Sequence, residues 1–495
     1  MKEPDKSYDC SFLLLRKHDR ARYGERVMIN VPVLAKILVI FALIVIAASK
    51  HVHLGLAAAV GGIIIALWQG MNTEGIVNAA LMELTNPDLI LLVLLLAAIM
   101  TFSEAMKISG AMNVFSNTVA KAMPSRRIAL GVVPLLIGTL PMPGGAIISA
   151  PLVGALNDDD ARGPEALSAV NYWFRHILEL AWPLFPAFIL TSGLTKLPTL
   201  TLIGLNIYAP IVLLILGFLF VLPKSRNNSE GAHGSADAIP SLPNAIPLSM
   251  ATPSSCGRAS ADSLSGNSIS IGEKPSIAEV LHGIAPLGLV LGTYIVIDVI
   301  WEALTKNISL SADVKALMSR YVPIYIGLLI GSWYLIKASG GAWIFKHSLT
   351  NSTIDLIAVV IGIRVFSALM TSANLSNEVS LELANAGIPA LVVIAVLPFI
   401  SGIVTGVGMG YVGLSMPIVL ALIASSGIPL KAGVMIANAF GYTGMMLSPL
   451  HVCMVVTAQH FKSSLIKVIL KCALPLAIFL IIVIAYGALL MALMR

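Results

Sequence analysis

An arginine, a histidine and a glutamate interrupt an otherwise apolar stretch, Asn171-Tyr-Trp-Phe-Arg-His-Ile-Leu-Glu-Leu-Ala-Trp-Pro183. On a continuous helix Arg175 and Glu179 stand at i and i+4, and His176 and Glu179 at i and i+3, so all three share a face. An ionisable side chain in hydrocarbon costs roughly 2.5 kcal/mol or more on insertion scales, so that face must look onto a cavity or onto itself. Two chemistries fit. In one, Arg175 attracts an anionic solute while His176 or Glu179 accepts a coupling proton. In the other, Arg175 and Glu179 neutralise each other and lock the helix. A second arginine, Arg364 in Ile-Gly-Ile-Arg-Val-Phe, also needs a partner, and Glu104 and Glu179 are the candidates.

Three further segments carry polar groups at points where a helix cannot continue. Gly138-Thr-Leu-Pro-Met-Pro-Gly-Gly-Ala-Ile-Ile-Ser-Ala-Pro151 loses amide donors at Pro141 and Pro143 and can reverse tightly at Gly144 and Gly145. Ser401-Gly-Ile-Val-Thr-Gly-Val-Gly-Met-Gly-Tyr-Val-Gly-Leu-Ser-Met-Pro417 is broken by glycines instead. Broken backbone at membrane depth is tolerated only where protein or a water-filled cavity satisfies it. Both segments therefore read as re-entrant hairpins whose tips meet a solute, with kinks in close-packed helices as the alternative. Ala437-Asn-Ala-Phe-Gly-Tyr-Thr-Gly-Met-Met-Leu-Ser-Pro-Leu-His451 has no carboxylate or basic amine but offers Asn438, Tyr442, Thr443, Ser448 and His451. The candidate substrate-binding residues are thus Thr139, Pro141, Pro143, Gly144, Gly145, Asn171, Arg175, Thr405, Gly406, Gly408, Gly410, Asn438 and Thr443. His176, Glu179 and His451 are the candidates for coupling.

The elements that hold these groups belong in lipid. The chain has 495 residues, of which 57% are hydrophobic and 11% charged, and its mean hydropathy is +0.90. So few charges cannot cover a water-soluble globule. Candidate spans fall at 31–49, 54–70, 87–107, 165–194, 199–222, 278–303, 321–337, 353–372, 430–459 and 466–492, with interrupted segments at 128–156 and 392–423. Cys10, Cys256, Cys453 and Cys472 form no CxxC pair and no cluster with histidine at metal-ligand spacing, so no metal site is expected.

Residues 224–275 are rich in Ser, Gly, Asn and Pro and read as a solvent-exposed linker. The segments on either side repeat. Asp355 follows Asp88 by 355 − 88 = 267 residues, Pro417 follows Pro151 by 417 − 151 = 266, Pro449 follows Pro183 by 449 − 183 = 266, and Pro475 follows Pro210 by 475 − 210 = 265. Pro398 follows Pro134 by 398 − 134 = 264 if the second interruption carries two extra residues. The expected organisation is a polar extension at 1–28, a first repeat at 29–223, the linker at 224–275 and a second repeat at 276–495. The fold class is an all-α polytopic membrane protein of two repeats, each with five transmembrane helices and a re-entrant hairpin. An odd number of crossings per repeat inverts the second relative to the first.

The formal net charge of +6 is then a matter of loop placement and carries no nucleic-acid signal. Lys50, Lys107, Lys121, Arg126, Arg127, Lys224, Arg226, Lys337, Lys346, Lys462 and Lys467 all fall on one side, which should be cytoplasmic. The opposite loops at 71–86 and 373–390 hold no Lys or Arg, whereas 304–320 holds Lys306, Lys315 and Arg320. The basic segment 1–28 also lands outside, a conflict that a translation start at Met28 would relieve.

Leu-Pro-Met-Pro-Gly-Gly-Ala-Ile-Ile-Ser-Ala-Pro followed by Asn-Tyr-Trp-Phe-Arg-His-Ile-Leu-Glu resembles the signature of an uncharacterised prokaryotic integral membrane family, a domain of unknown function. That family is related to gluconate permeases within the ion transporter superfamily. The resemblance spans nearly all of 29–495 outside the linker. It implies two inverted repeats with discontinuous helices, a homodimer and an elevator-like movement. Carboxylate carriers of the superfamily place Ser-Asn-Thr motifs at the hairpin tips; this chain has Met-Pro-Gly-Gly and Gly-Val-Gly-Met-Gly instead.

The expected function is a secondary active transporter of a small organic anion, a carboxylate of gluconate type, in the cell membrane of a prokaryote. No cofactor is expected beyond Na+ or H+ as coupling ion. The alternatives are a cation/proton antiporter, for which an intramembrane Asp pair is missing, and a passive anion channel. An enzyme is not expected: Ser415 and His451 form at most a nonspecific dyad, and no HExxH or nucleotide-binding loop occurs.

Overall fold

In hydrocarbon every backbone amide must find its partner within the chain, so apolar runs of this length fold as helices. The computed structural model describes residues 31–50, 52–141, 145–157, 162–222, 276–305, 309, 311–375, 378, 382 and 385–494, and every regular element among them is helical. The N-terminal extension and the linker expected from the sequence lie outside these residues.

The first half runs through α1 (Val33–Ser49), α2 (Leu54–Trp68), α3 (Thr73–Leu84), α4 (Pro87–Ile108), α5 (Ala111–Ala122), α6 (Arg126–Ile137), α7 (Gly145–Ala155), α8 (Pro164–His176) and α9 (Pro186–Thr195). It closes with α10 (Thr199–Val221), whose last turn is a π-helix. The second half comprises α11 (Ile277–Thr305), α12 (Ala312–Ala338), α13 (Asn351–Ser372), α14 (Ala390–Thr405), α15 (Gly408–Ser426), α16 (Leu430–Met446), α17 (Val452–Phe461) and α18 (Leu465–Leu493). Seven of the described helices, α4, α10, α11, α12, α13, α15 and α18, are long and apolar enough to cross a membrane.

Proline and glycine decide where the helices stop. The spans expected at 165–194 and 430–459 are each broken. Pro183 and Pro186 rule out a helix through the first, and α8 ends at His176. The second stops at Met446 ahead of Pro449, and α17 resumes at Val452. The expected loop at 71–86 is largely helix α3, because the Asn72 side chain accepts from the Gly75 amide at 2.9 Å and caps it. Helix α12 begins nine residues before the span expected at 321, so Arg320 is a helix residue and not a loop charge.

Close helix crossings use glycine. A Cβ at Gly362 of α13 would strike the carbonyl of Gly55, and one at Gly55 of α2 would strike the carbonyl of Ala358. The two helices therefore meet backbone to backbone.

Two of the buried arginines, Arg320 and Arg364, meet carboxylates. Arg364 donates from Nε to Glu83 Oε1 at 2.6 Å and from Nη1 to the Gly193 carbonyl at 3.3 Å. Its Nη2 stands 3.3 Å from Asp88 Oδ2 as an ion pair without hydrogen-bond alignment. Arg320 Nη1 donates to Asp88 Oδ1 at 2.7 Å, and the Tyr321 hydroxyl donates to the same oxygen at 3.1 Å. The partners of Arg364 are therefore Glu83 and Asp88, not Glu104 or Glu179. Glu104 pairs with Lys107 on the same helix. Distance along the chain hid this: Asp88 lies at the start of α4, and the two arginines that clasp it come from the other half.

Removing the shared carboxylate in Asp88→Ala strands the buried guanidinium of Arg320, while Arg364 keeps Glu83, an uncompensated-charge change worth about 3–5 kcal/mol. The expected outcome is a fall of many degrees in the thermal unfolding midpoint of detergent-purified protein. Asp355→Ala, at the equivalent but exposed position, should shift the midpoint little. Equal shifts for the two variants would rule out this role for Asp88.

Candidate functional site

The two broken helices and the two interrupted segments converge. In the first half the chain between α6 and α7 lies against the end of α8. A Cβ at Gly138 would strike the carbonyl of Arg175, and one at Gly145 would come within 2.5 Å of Arg175 Nη1. Trp182, in the break after α8, donates from Nε1 to the Thr139 carbonyl at 2.8 Å. In the second half, between α14 and α15, a Cβ at Gly402 would strike the carbonyl of Gly441. Ser448, in the break after α16, donates from Oγ to the Ile403 carbonyl at 2.5 Å.

These contacts are counterparts. Gly402 and Ile403 stand 264 residues after Gly138 and Thr139, while Gly441 and Ser448 stand 266 after Arg175 and Trp182. The same offset of 266 carries Gly145 onto Tyr411. Large and small are exchanged there: Arg175 lies over Gly145, whereas the Tyr411 ring occupies the space over Gly441.

Arg175, His176 and Glu179 do not share a face, because the helix ends at His176. The salt bridges among the described residues contain no Arg175–Glu179 pair. Arg175 is buried against Gly145, and its Nε and Nη1 have no hydrogen-bond partner among the described residues. Glu179 turns to a cavity lined with Thr191, Asn206, Tyr411 and Asn438. Gly408 makes room for it, since a Cβ there would stand 2.6 Å from Glu179 Oε1. His176 meets His451 of the other half, Nε2 to Nε2, at 3.1 Å. The ring planes are nearly perpendicular, and Cys453 stands beside them.

The remaining candidates divide. Asn171 donates to Thr457 Oγ1 at 2.9 Å and keeps its buried Oδ1 unpartnered. Asn438 accepts from Thr191 Oγ1 at 3.4 Å within the Glu179 cavity. The hydroxyls of Thr405 and Thr443 are spent on the carbonyls of Ser401 and Ala439 in their own helices, and that of Thr139, just past α6, on the Leu136 carbonyl. Gly406 holds a left-handed turn at φ 63° against the His451 amide, and Gly410 packs on Thr405. Pro141 is buried at the first tip; Pro143 and Gly144 lie outside the described residues. Ser415 donates to the Tyr411 carbonyl at 2.5 Å, so its hydroxyl is engaged by its own helix while His451 faces His176.

The model of a family described as "Protein of unknown function (DUF401)" matches residues 33–250 and 342–489, more than half of the chain. The chain belongs to the DUF401 family. No curated protein matches the sequence. Among solved structures, the YdaH transporter of Alcanivorax borkumensis, described as having an unusual topology, superposes with a TM-score of 0.51 at 12% identity. The match covers 80% of this chain and 84% of that one. At that identity the likeness speaks for the fold. This DUF401 chain is a polytopic, multi-pass membrane protein with a transporter's fold, consistent with the plasma membrane of a prokaryote.

Sequence reasoning missed Thr191, Asn206 and Tyr411 around Glu179, and Cys453 beside the histidines. Thr191, Asn206 and Tyr411 sit on α9, α10 and α15, away from the break that carries Glu179, so no local spacing marks them; Cys453 stands two residues after His451, but His176 comes from the other half. Trp182 was visible as a polar-tipped aromatic next to Pro183.

Trp182→Phe and Ser448→Ala each leave a carbonyl of an interrupted segment without its donor, at about 1–3 kcal/mol apiece. Both variants should lower the thermal unfolding midpoint, and the double variant should lower it further. Midpoints equal to that of the parent protein would show that these bonds do not hold the tips.

Proposed function

We propose that this protein is a secondary active transporter of a small organic anion of carboxylate type, working by alternating access. The observation that carries the reading is Arg175. Its guanidinium is buried at the meeting point of a hairpin and a helix break, with two nitrogens unpartnered among the described residues. Buried donors left open are costly, and an anionic solute is the natural partner for a cation that has no salt bridge among the described residues. The fold relationship to a transporter supports the same class.

Glu179 is the coupling group in this reading. It shares its cavity with Asn438, Asn206, Thr191 and Tyr411, an oxygen-bearing set that suits a proton or Na+ and keeps it apart from the Arg175 site. The matching contacts at offsets of 264 and 266 support an inverted repeat with re-entrant hairpins, as does the gluconate-permease resemblance. The hairpins are bonded to the helix breaks through Trp182 and Ser448, which favours their moving as one block past the long helices in an elevator. The antiporter reading has less support, since Asp88 is committed to Arg320 and Arg364.

Proteoliposomes carrying the purified protein should accumulate a labelled carboxylate from a panel that includes gluconate when a proton or Na+ gradient is imposed. Purely downhill flux would sink the carrier in favour of an anion channel. Arg175→Ala should reduce uptake at least tenfold in monodisperse protein, and Gly145→Ala should do the same by displacing the guanidinium. Undiminished uptake in Arg175→Ala would return that residue to a structural role. Glu179→Gln should make uptake independent of the imposed gradient, and a retained gradient dependence would remove Glu179 from coupling.

A further inference from the structure

Two histidines that face each other through Nε2 pose a bonding problem. His176 Nδ1 lies 2.7 Å from the Tyr172 carbonyl, and a carbonyl only accepts, so Nδ1 carries the proton and Nε2 presents a lone pair. His451 Nε2 stands 3.1 Å from that lone pair, while His451 Nδ1 is buried without a partner. Something bearing positive charge or a proton must sit between the two Nε2 atoms.

The separation suits a metal ion. With metal–nitrogen bonds of about 2.0–2.1 Å, tetrahedral geometry places two nitrogens about 3.3 Å apart, within a few tenths of an ångström of the distance found. A thiolate at about 2.3 Å from the same ion would lie roughly 3.6 Å from each nitrogen. Cys453 is placed to supply it: its Sγ and one ring nitrogen of each histidine all lie within 4.8 Å of one another. The Tyr172 carbonyl behind His176 is the outer-shell acceptor that orients metal-binding imidazoles.

We propose that His176, His451 and Cys453 form a binding site for a soft or borderline d10 metal ion, Cu+ or Zn2+. Two imidazoles and one thiolate select such ions over Mg2+ or Ca2+. Binding exchanges the Cys453 thiol proton for the metal, and the proton leaves to solvent. Charge favours Cu+, because Cu+ and a thiolate sum to zero beside the cationic Arg175, whereas Zn2+ leaves one positive charge there. The site joins the end of α8 to the start of α17, one ligand from the first half and two from the second. It requires only that the two helix breaks meet and does not depend on the transport reading.

The test uses full-length, tag-free protein in detergent with Cys10, Cys256 and Cys472 replaced by serine, so that Cys453 is the sole thiol. Titration with Co2+ should give one ion per chain and a thiolate-to-cobalt charge-transfer band. Cu+ in competition with a chromophoric chelator should bind with the same stoichiometry. Cys453→Ser should abolish the band, and His451→Ala should weaken both ions at least tenfold. Arg175→Ala should leave Co2+ binding in place, which separates failure of this site from failure of the anion site. Absence of the band in folded parent protein, or equal affinity for Cu+ in Cys453→Ser, would overturn the proposal and leave a shared proton between the histidines. If His451→Ala does not fold, the Cys453→Ser comparison decides alone.

Discussion

The close approach of two interrupted segments to two helix breaks is the constraint on which the centre of this protein depends. At Gly138 and Gly402 there is no space for even a methyl group, because the carbonyls of Arg175 and Gly441 occupy it. That contact brings the tip carbonyls of Thr139 and Ile403 within reach of Trp182 and Ser448. It satisfies polar backbone that a lipid environment would otherwise penalise by several kcal/mol per group. The charged and polar side chains at the centre, Arg175, His176, Glu179 and His451, are positioned by these packed breaks.

A second constraint works at the periphery of that centre. Asp88 serves Arg320 and Arg364 together, and Arg364 reaches on to Glu83 and the Gly193 carbonyl. Each arginine is buried, and each costs too much to bury alone. Sharing one carboxylate between two cations ties α4 of the first half to α12 and α13 of the second. The Gly55–Gly362 crossing then holds α2 against α13.

Much of this architecture was legible in the sequence, and the limits were physical. Hydropathy located most of the spans, and prolines at a constant offset marked the places where both halves break. What periodicity could not show was that the stretch from 165 to 194 is two helices. That error put Arg175 and Glu179 on one face, whereas the break sets Arg175 against Gly145 and turns Glu179 to a cavity. Helix α3 was missed because its exposed, mixed surface lacks a span's signal. The Asp88 cluster joins residues hundreds of positions apart, and His176 stands as far from the neighbouring His451 and Cys453, so the sequence does not announce either meeting. Glycine was the most informative residue type in retrospect: Gly138, Gly145, Gly402, Gly408 and Gly441 each mark a point where another group occupies the space of a side chain.

The exchange of large for small between the halves has a further meaning. Arg175 rests on Gly145, and Tyr411 rests over Gly441. A molecule assembled from two first halves would set a pair of guanidiniums at its centre, and one assembled from two second halves would have none. Each half has thus surrendered its independence in a different currency, one of charge and one of volume. The place over the glycine is held by a cation in one half and by an aromatic ring in the other, so the charge at the centre comes from one side only.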